Sequence, residues 1–225
     1  MIDIEKLSKS FGRRTLWTGV DLTIHGGHLL ALTGPSGSGK STLLNCLGLL
    51  DTPTSGAIQH EGRDITRFGP RQARVFRRDT LGYLFQNYAL IENASVAANL
   101  AVVAKPRRRA TTIAIPEALE RVGLAGCERE RVSRLSGGEQ QRVALARLMV
   151  KQPTLVLADE PTGALDHENT VTVVKILREM SDAGCAVIIA THDDYVRDQC
   201  DTVFNLTSSG SRAASDVQAA LALQP

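Results

Sequence analysis

Gly34-Pro35-Ser36-Gly37-Ser38-Gly39-Lys40-Ser41-Thr42 is the stretch on which the reading of this chain turns. Its spacing is Gly, four residues, then Gly-Lys-Ser, the pattern of a phosphate-binding loop. Leu29-Leu30-Ala31-Leu32 before it reads as a buried strand, and Ser41-Thr42-Leu43-Leu44-Asn45-Cys46-Leu47 behind it as a helix. That strand–loop–helix context is what the pattern requires. Backbone N–H groups unobstructed at Gly34, Gly37 and Gly39 can wrap an anion that faces the positive end of the helix dipole. Lys40 adds a point charge for the β- and γ-phosphates of a nucleotide, and the Ser41 hydroxyl suits Mg²⁺. The alternative, a glycine-rich turn ahead of an ordinary helix, does not account for the full spacing.

The chain has 225 residues, room for one domain or two closely joined subdomains with a real core. Its 43% hydrophobic and 22% charged fractions are those of a globular protein. A formal net charge of +2 gives no bulk electrostatic case for nucleic acid as a partner. Cys46, Cys127, Cys185 and Cys200 form no CxxC pair and no metal-ligand spacing, so they read as small hydrophobes of a reducing compartment. No apolar run approaches the length that crosses a bilayer, and the first residues lack a signal core. The expectation is a cytoplasmic protein that something else must hold if it works at a membrane.

Residues 2–7 alternate apolar and polar and read as a strand, and Val20-Asp21-Leu22-Thr23-Ile24-His25 as a second. Gly26-Gly27 then reads as a hairpin turn into the phosphate-loop strand. Phe11, beside Gly12, can stack on a purine or fill a satellite of the core. Residues 67–78 are arginine-rich and read as a solvated helix or loop. Leu81-Gly82-Tyr83-Leu84-Phe85 is a strand that ends on Gln86. From residue 87 the composition turns helical, which predicts a helical subdomain over 87–151 inserted into an ATPase core of 1–86 and 152–207. The Ser- and Ala-rich tail, 208–225, is too short for a regulatory domain and is expected to be partly disordered.

Three further stretches carry chemistry. Leu135-Ser136-Gly137-Gly138-Glu139-Gln140 heads a strong helix with Ser136 as its N-cap, and reads either as a second anion site or as a capped turn. Leu155-Val156-Leu157-Ala158-Asp159-Glu160 is a buried strand with two acids at its carboxyl end, where ligands of open α/β sheets bind. Alternation turns the two side chains apart, so Asp159 suits Mg²⁺ and Glu160 suits a water. Ala186-Val187-Ile188-Ile189-Ala190 delivers His192 at the tip of a third core strand, a position that favours an active-site role.

In this order, with Gln86 and Ala164-Leu165-Asp166 between them, these residues resemble the nucleotide-binding subunit of ABC transporters. Leu-Ser-Gly-Gly-Glu-Gln is the most specific part of the likeness. The resemblance implies an α/β, phosphate-loop NTPase (RecA-like) fold: a parallel-sheet core, an N-terminal antiparallel β subdomain and an inserted α-helical subdomain. It implies an ATPase with ATP and Mg²⁺, working as a head-to-tail homodimer with each ATP between the Gly34–Thr42 loop of one copy and Ser136, Gly137 and Gly138 of the other. Phe11 then stacks on adenine, departing from the commoner Tyr, and Lys40 grips the phosphates. Ser41, Gln86 and Asp159 serve the metal. Glu160 is the general base, His192 contacts the γ-phosphate and Asp166 communicates across the dimer.

Within the family, the residues from Gly34 to Asn45 and Leu50-Asp51-Thr52-Pro53-Thr54-Ser55-Gly56 resemble the branch serving macrolide export and lipoprotein release. Phe85-Gln86-Asn87-Tyr88-Ala89-Leu90-Ile91-Glu92-Asn93 is similar to its Gram-positive exporters of bacteriocin, peptide or haem. The implied partner is a membrane permease with few transmembrane helices and a large extracytoplasmic domain. It is expected to dock near residues 87–99, where Tyr88, Leu90 and Ile91 read as an exposed apolar trio, and to hold the chain at the cytoplasmic side of the membrane. A soluble ABC ATPase acting on ribosomes or DNA is the second reading, but this chain has one cassette and no coiled-coil insertion. A nucleotide-gated scaffold is the third, and an intact Glu160 and His192 argue against it.

Overall fold

A computed structural model describes residues 1–104, 113–163, 166–207 and 212–216, with only the backbone given for 212–216 and His167. Ten strands and seven α-helices are described, with a short 3-10 turn at Val132–Arg134: β1 (Ile2–Phe11), β2 (Arg14–Ile24), β3 (Leu29–Thr33), α1 (Lys40–Leu47), β4 (Ser55–His60), β5 (Arg63–Asp64), α2 (Pro70–Asp79), β6 (Leu81–Leu84), α3 (Val96–Ala101), α4 (Ile115–Arg121), α5 (Gly137–Lys151), β7 (Leu155–Asp159), α6 (His167–Asp182), β8 (Ala186–Ala190), α7 (Asp194–Asp198), β9 (Thr202–Asn205) and β10 (Arg212–Asp216). They form a six-stranded sheet, β10-β9-β3-β8-β7-β6, and a four-stranded antiparallel sheet, β2-β1-β4-β5. Every pairing in the first is parallel except β10 with β9. So the tail contributes a strand within 212–216; the rest of 208–225 lies outside the described residues.

Why the core strands are apolar throughout follows from the two-residue period of a strand. Leu29, Ala31, Val156, Ala158, Val187 and Ile189 face one core with α5 and α6, while Leu30, Leu32, Leu155, Leu157, Ile188 and Ala190 face another with α1 and the antiparallel sheet. Each face removes its side chains from water, at roughly 1.5–3 kcal/mol for a large aliphatic residue. Four cysteines are free. Burial pushes the Cys46, Cys185 and Cys200 thiols up to about 12, which makes them inert packing groups.

Gly26-Gly27 does not make a hairpin. The strands on either side of it belong to different sheets, since β2 pairs with β1 whereas β3 lies between β8 and β9. The two glycines pack instead on the turn before β8: Gly27 N donates to the Cys185 carbonyl, and a Cβ on Gly26 would stand 2.9 Å from the Gly184 carbonyl oxygen. The second strand also begins six residues earlier than its alternation indicates. A bulge separates the Leu7–Val20 pair from the Lys9–Trp17 pair, so the buried residues change parity between Trp17 and Val20. Residues 87–104 are helical only in α3. Ser95 caps that helix by accepting from Ala98 N, and turns occupy the stretch from Gln86 to Ala94.

Candidate functional site

The loop between β3 and α1 is held in a shape that side chains would forbid. Gly34 has φ +145, and a Cβ there would lie 2.5 Å from the Leu206 carbonyl oxygen and 2.9 Å from Ser38 Oγ. Gly39 caps α1 at φ +94, and a Cβ there would strike the Trp17 indole nitrogen at 2.7 Å. Gly34→Ala is therefore expected to weaken nucleotide binding about tenfold or more, since a side chain in that backbone region costs about 1–3 kcal/mol and displaces the loop. Titration with a fluorescent ATP analogue checks it.

Lys40 Nζ donates to the Gly34 carbonyl at 2.9 Å and to that of Pro35 at 3.5 Å, so the ammonium is stationed over the loop. Ser38 Oγ is buried without a hydrogen-bond partner among the described residues. The loop opens on a cavity of about 930 Å³ lined also by Phe11, Arg14, Leu16, Gln86, Glu160, Gly163 and His192. Phe11 is 53% exposed at its edge, with Lys9 Nζ 4.6 Å from the ring centroid. A volume of that size with an aromatic at one end and an anion cradle at the other suits a nucleotide.

Asp159 and Glu160 separate as a strand end requires. The Ser41 hydroxyl donates to Asp159 Oδ1 at 3.0 Å, while Glu160 turns away at φ +47, its N–H donating to the Ala190 carbonyl. Glu160 Oε2 lies 2.7 Å from His192 Nδ1. A carboxylate only accepts, so the proton of this bond sits on Nδ1. Ser41 and Gln86 share the cavity, and Asp159 bonds to Ser41. Hydroxyl, amide oxygen and carboxylate are the hard oxygen donors that Mg²⁺ takes, so the residues present fit that ion.

The stretch from Leu135 to Gln140 is placed elsewhere. None of Leu135, Ser136, Gly137, Gly138, Glu139 and Gln140 lines the cavity. Ser136 caps α5 in a closed capping box: its N–H and hydroxyl donate to Glu139 Oε2 at 2.8 and 2.7 Å, and Glu139 N returns a bond at 3.3 Å. The Ser136 hydroxyl and N–H hold the Glu139 carboxyl below the usual carboxylate range. Gln140 Nε2 donates to the Leu135 carbonyl. Asp166 caps α6 through Asn169, whose N–H and amide hold its carboxyl down in turn, and Asn169 accepts from Arg142 of α5 at 2.5 Å. Ala164 and Leu165 lie outside the described residues.

Sequence reasoning missed Arg14 and Leu16 on the cavity wall. Both lie on the part of β2 that the bulge hides from a parity count.

A family model described as "ABC transporter" matches residues 17–163, more than half of the chain. The chain belongs to the ABC transporter family. The cassette is 41% identical over 208 residues to the macrolide export ATP-binding/permease protein MacB of Nitrobacter winogradskyi, covering 87% of this chain and 32% of that protein. It is 38% identical over 218 residues to the pyoverdine export ATP-binding/permease protein PvdT of Pseudomonas syringae pv. tomato, covering 92% and 33%. The chain thus spans about a third of the length of the curated relatives it matches. Among solved structures, a dimeric post-hydrolysis state of the ATP-binding cassette MJ0796 bound to ADP and Pi is similar at a TM-score of 0.84 and 28% identity, covering 96% of this chain and 99% of that one. The α/β architecture, with a parallel and an antiparallel sheet, is that of an ABC ATPase cassette.

Proposed function

We propose that this cassette binds and hydrolyses ATP as a head-to-tail pair and drives export through a membrane permease. The observation that carries the reading is the Glu160–His192 contact at 2.7 Å on the wall of the cavity that the phosphate loop opens. Glu160 accepts the proton of an attacking water, and His192 holds the carboxylate in place through its Nδ1–H. Lys40 and the loop N–H groups bind and orient the phosphates, which is most of what phosphoryl transfer asks of a protein. Ser41, Gln86 and Asp159 would hold Mg²⁺, which would supply positive charge against the phosphates. Ser136, Gly137 and Gly138 serve the site of the second copy, consistent with their distance in the fold from their own cavity. Phe11 stacks on the base, and Asp166, tied to α5 through Asn169 and Arg142, links the two sites.

No helix among the described residues is long and apolar enough to cross a membrane. The combined ATP-binding/permease names of its relatives support a membrane permease as the partner. Its docking face is a groove of about 310 Å³ between the ATPase core and the helical insertion. Ile91 (54% exposed), Val102 (70%) and Leu50 (49%) line it, above the stacked rings of Tyr83 and Phe85. The exposed apolar trio expected from sequence is reduced to Ile91, because Tyr88 and Leu90 are half-buried against the core. An apolar patch left open like this fits a docking helix. Ile91→Asp combined with Val102→Asp is expected to leave ATPase activity of the isolated cassette within about twofold of wild type, since surface changes cost little, while abolishing permease-stimulated turnover and transport in reconstituted vesicles. Normal stimulation of the double variant would refute the docking face. Absence of ATP hydrolysis by the wild-type pair would refute the function.

A further inference from the structure

Lys9 is a cation in the core. It is 6% exposed, on the face of β1 that also buries Leu7, and alternation along the strand puts Phe11 on that same side. A buried ammonium is tolerated where its three N–H donors are engaged. Two partners are Asp51 Oδ1 and the Thr52 carbonyl, each at 2.7 Å. The third is the Phe11 ring, whose centroid lies 4.6 Å from Nζ, within the range of a cation–π contact. Phe11 itself is open to solvent and lines the nucleotide cavity. One face of the ring therefore carries a buried charge, and the other is the face left to meet a base.

Asp51 is anchored in its turn. Its Oδ1 also accepts from Thr52 N at 2.7 Å, and the N–H groups of Leu50 and Asp51 both donate to the Asn45 carbonyl of α1, at 2.8 and 3.2 Å. Thr54 closes the turn onto β1: its N–H donates to the Ser8 carbonyl at 2.8 Å, and its Oγ1 accepts from Ser10 N at 3.0 Å. Helix α1 begins at the phosphate loop and ends at this turn, about 12 Å along its axis. One helix thus presents the loop at its head and, through Asp51 and Lys9, holds Phe11 from its tail. An apolar side chain could fill the place of Lys9 without desolvating a charge, so packing alone does not call for the pair.

We propose that Lys9 is a positioning residue for the nucleotide base: paired with Asp51, it holds Phe11 at a fixed place relative to the phosphate loop, so that a purine on the ring adds affinity that the triphosphate does not supply. The proposal rests on the ATP-binding reading above, and it names the part of the ligand on which Lys9 acts.

The test compares the binding of ATP and of inorganic tripolyphosphate, each with Mg²⁺, to the full chain by isothermal titration calorimetry. Phe11→Leu is expected to weaken ATP about tenfold or more by removing the stacking ring. Lys9→Met is expected to weaken ATP about fivefold and tripolyphosphate by less than about twofold, and to cost nothing further once Phe11→Leu is present. Lys9→Arg keeps a cation that can pair with Asp51 and lie on the ring, and stays within about twofold of wild type for both ligands. Should Lys9→Met fail to fold with Asp51 unpaired, Lys9→Met with Asp51→Asn removes both charges, keeps an acceptor for Thr52 N–H, and must show the same selective loss. Equal losses for ATP and tripolyphosphate would make Lys9 a support of the fold or the loop and overturn the proposal. Unchanged ATP affinity, or a Lys9→Met penalty that persists without the Phe11 ring, overturns it as well. A wild-type chain that binds neither ligand would instead remove the ATP-binding reading, and this proposal with it.

Discussion

Glu160→Gln is expected to abolish steady-state ATP hydrolysis, with a loss of about 10²–10⁴-fold, while ATP binding survives. An amide of the same shape cannot take a proton from water, whereas the phosphate loop, Lys40 and Ser41 are untouched by the change. The variant should therefore accumulate as an ATP-bound pair, visible by size-exclusion chromatography as a shift that appears with ATP and vanishes with ADP. His192 would keep a partner, because the amide oxygen that the substitution introduces can still accept from Nδ1. Turnover within a few-fold of wild type would remove Glu160 as the base.

The second large effect separates a shared site from two private ones. Lys40→Ala removes the phosphate cation, and Ser136→Arg places bulk at the head of α5. A pair carrying one lesion on each chain has one doubly damaged site and one whole site in a head-to-tail arrangement. A wild-type chain paired with a doubly altered one has two half-damaged sites. The first should occlude one ATP with near-normal protection and the second none, measured by nucleotide retention after rapid filtration. Equal retention in both would exclude the arrangement. The magnitude is all-or-none because none of Ser136, Gly137 and Gly138 lines its own chain's cavity.

What could be read from residues alone was whatever depends on a local rule. The phosphate loop is a fixed spacing, the Ser136 cap is a three-residue rule, and the buried strands announce themselves by continuous apolar runs. The macrolide-export branch rested on a resemblance of the residues around the loop rather than on a local rule, and relatives named for macrolide export match the chain. Failures came where a distant partner decides. Gly26-Gly27 has the composition of a hairpin turn, but the Gly184 carbonyl it packs against is far away in sequence. Arg14 and Leu16 were lost behind a bulge that changes strand parity. The turns of residues 87–94 looked helical because the Arg147 bonds to left-handed Tyr88 and Ala89, and the Asn99 bonds to Ile91, leave no local mark. Arg147 itself is one arginine among many until its acceptors are seen.

Sheet order also has a consequence for the making of the protein on the ribosome. The loop strand β3 has its neighbours in β8 and β9, with Leu29 opposite Val187 and Leu30 opposite Thr202. Ser41 finds Asp159 across 118 residues. A nascent chain that has emerged as far as α5 thus carries the whole phosphate-loop sequence with no strand on either side of it. Pairings of such long sequence separation form slowly, and exposed apolar strands in the interval invite chaperones. ATP can therefore act as a ligand of the finished molecule only, and a translation product that stops before β8 should be invisible to it.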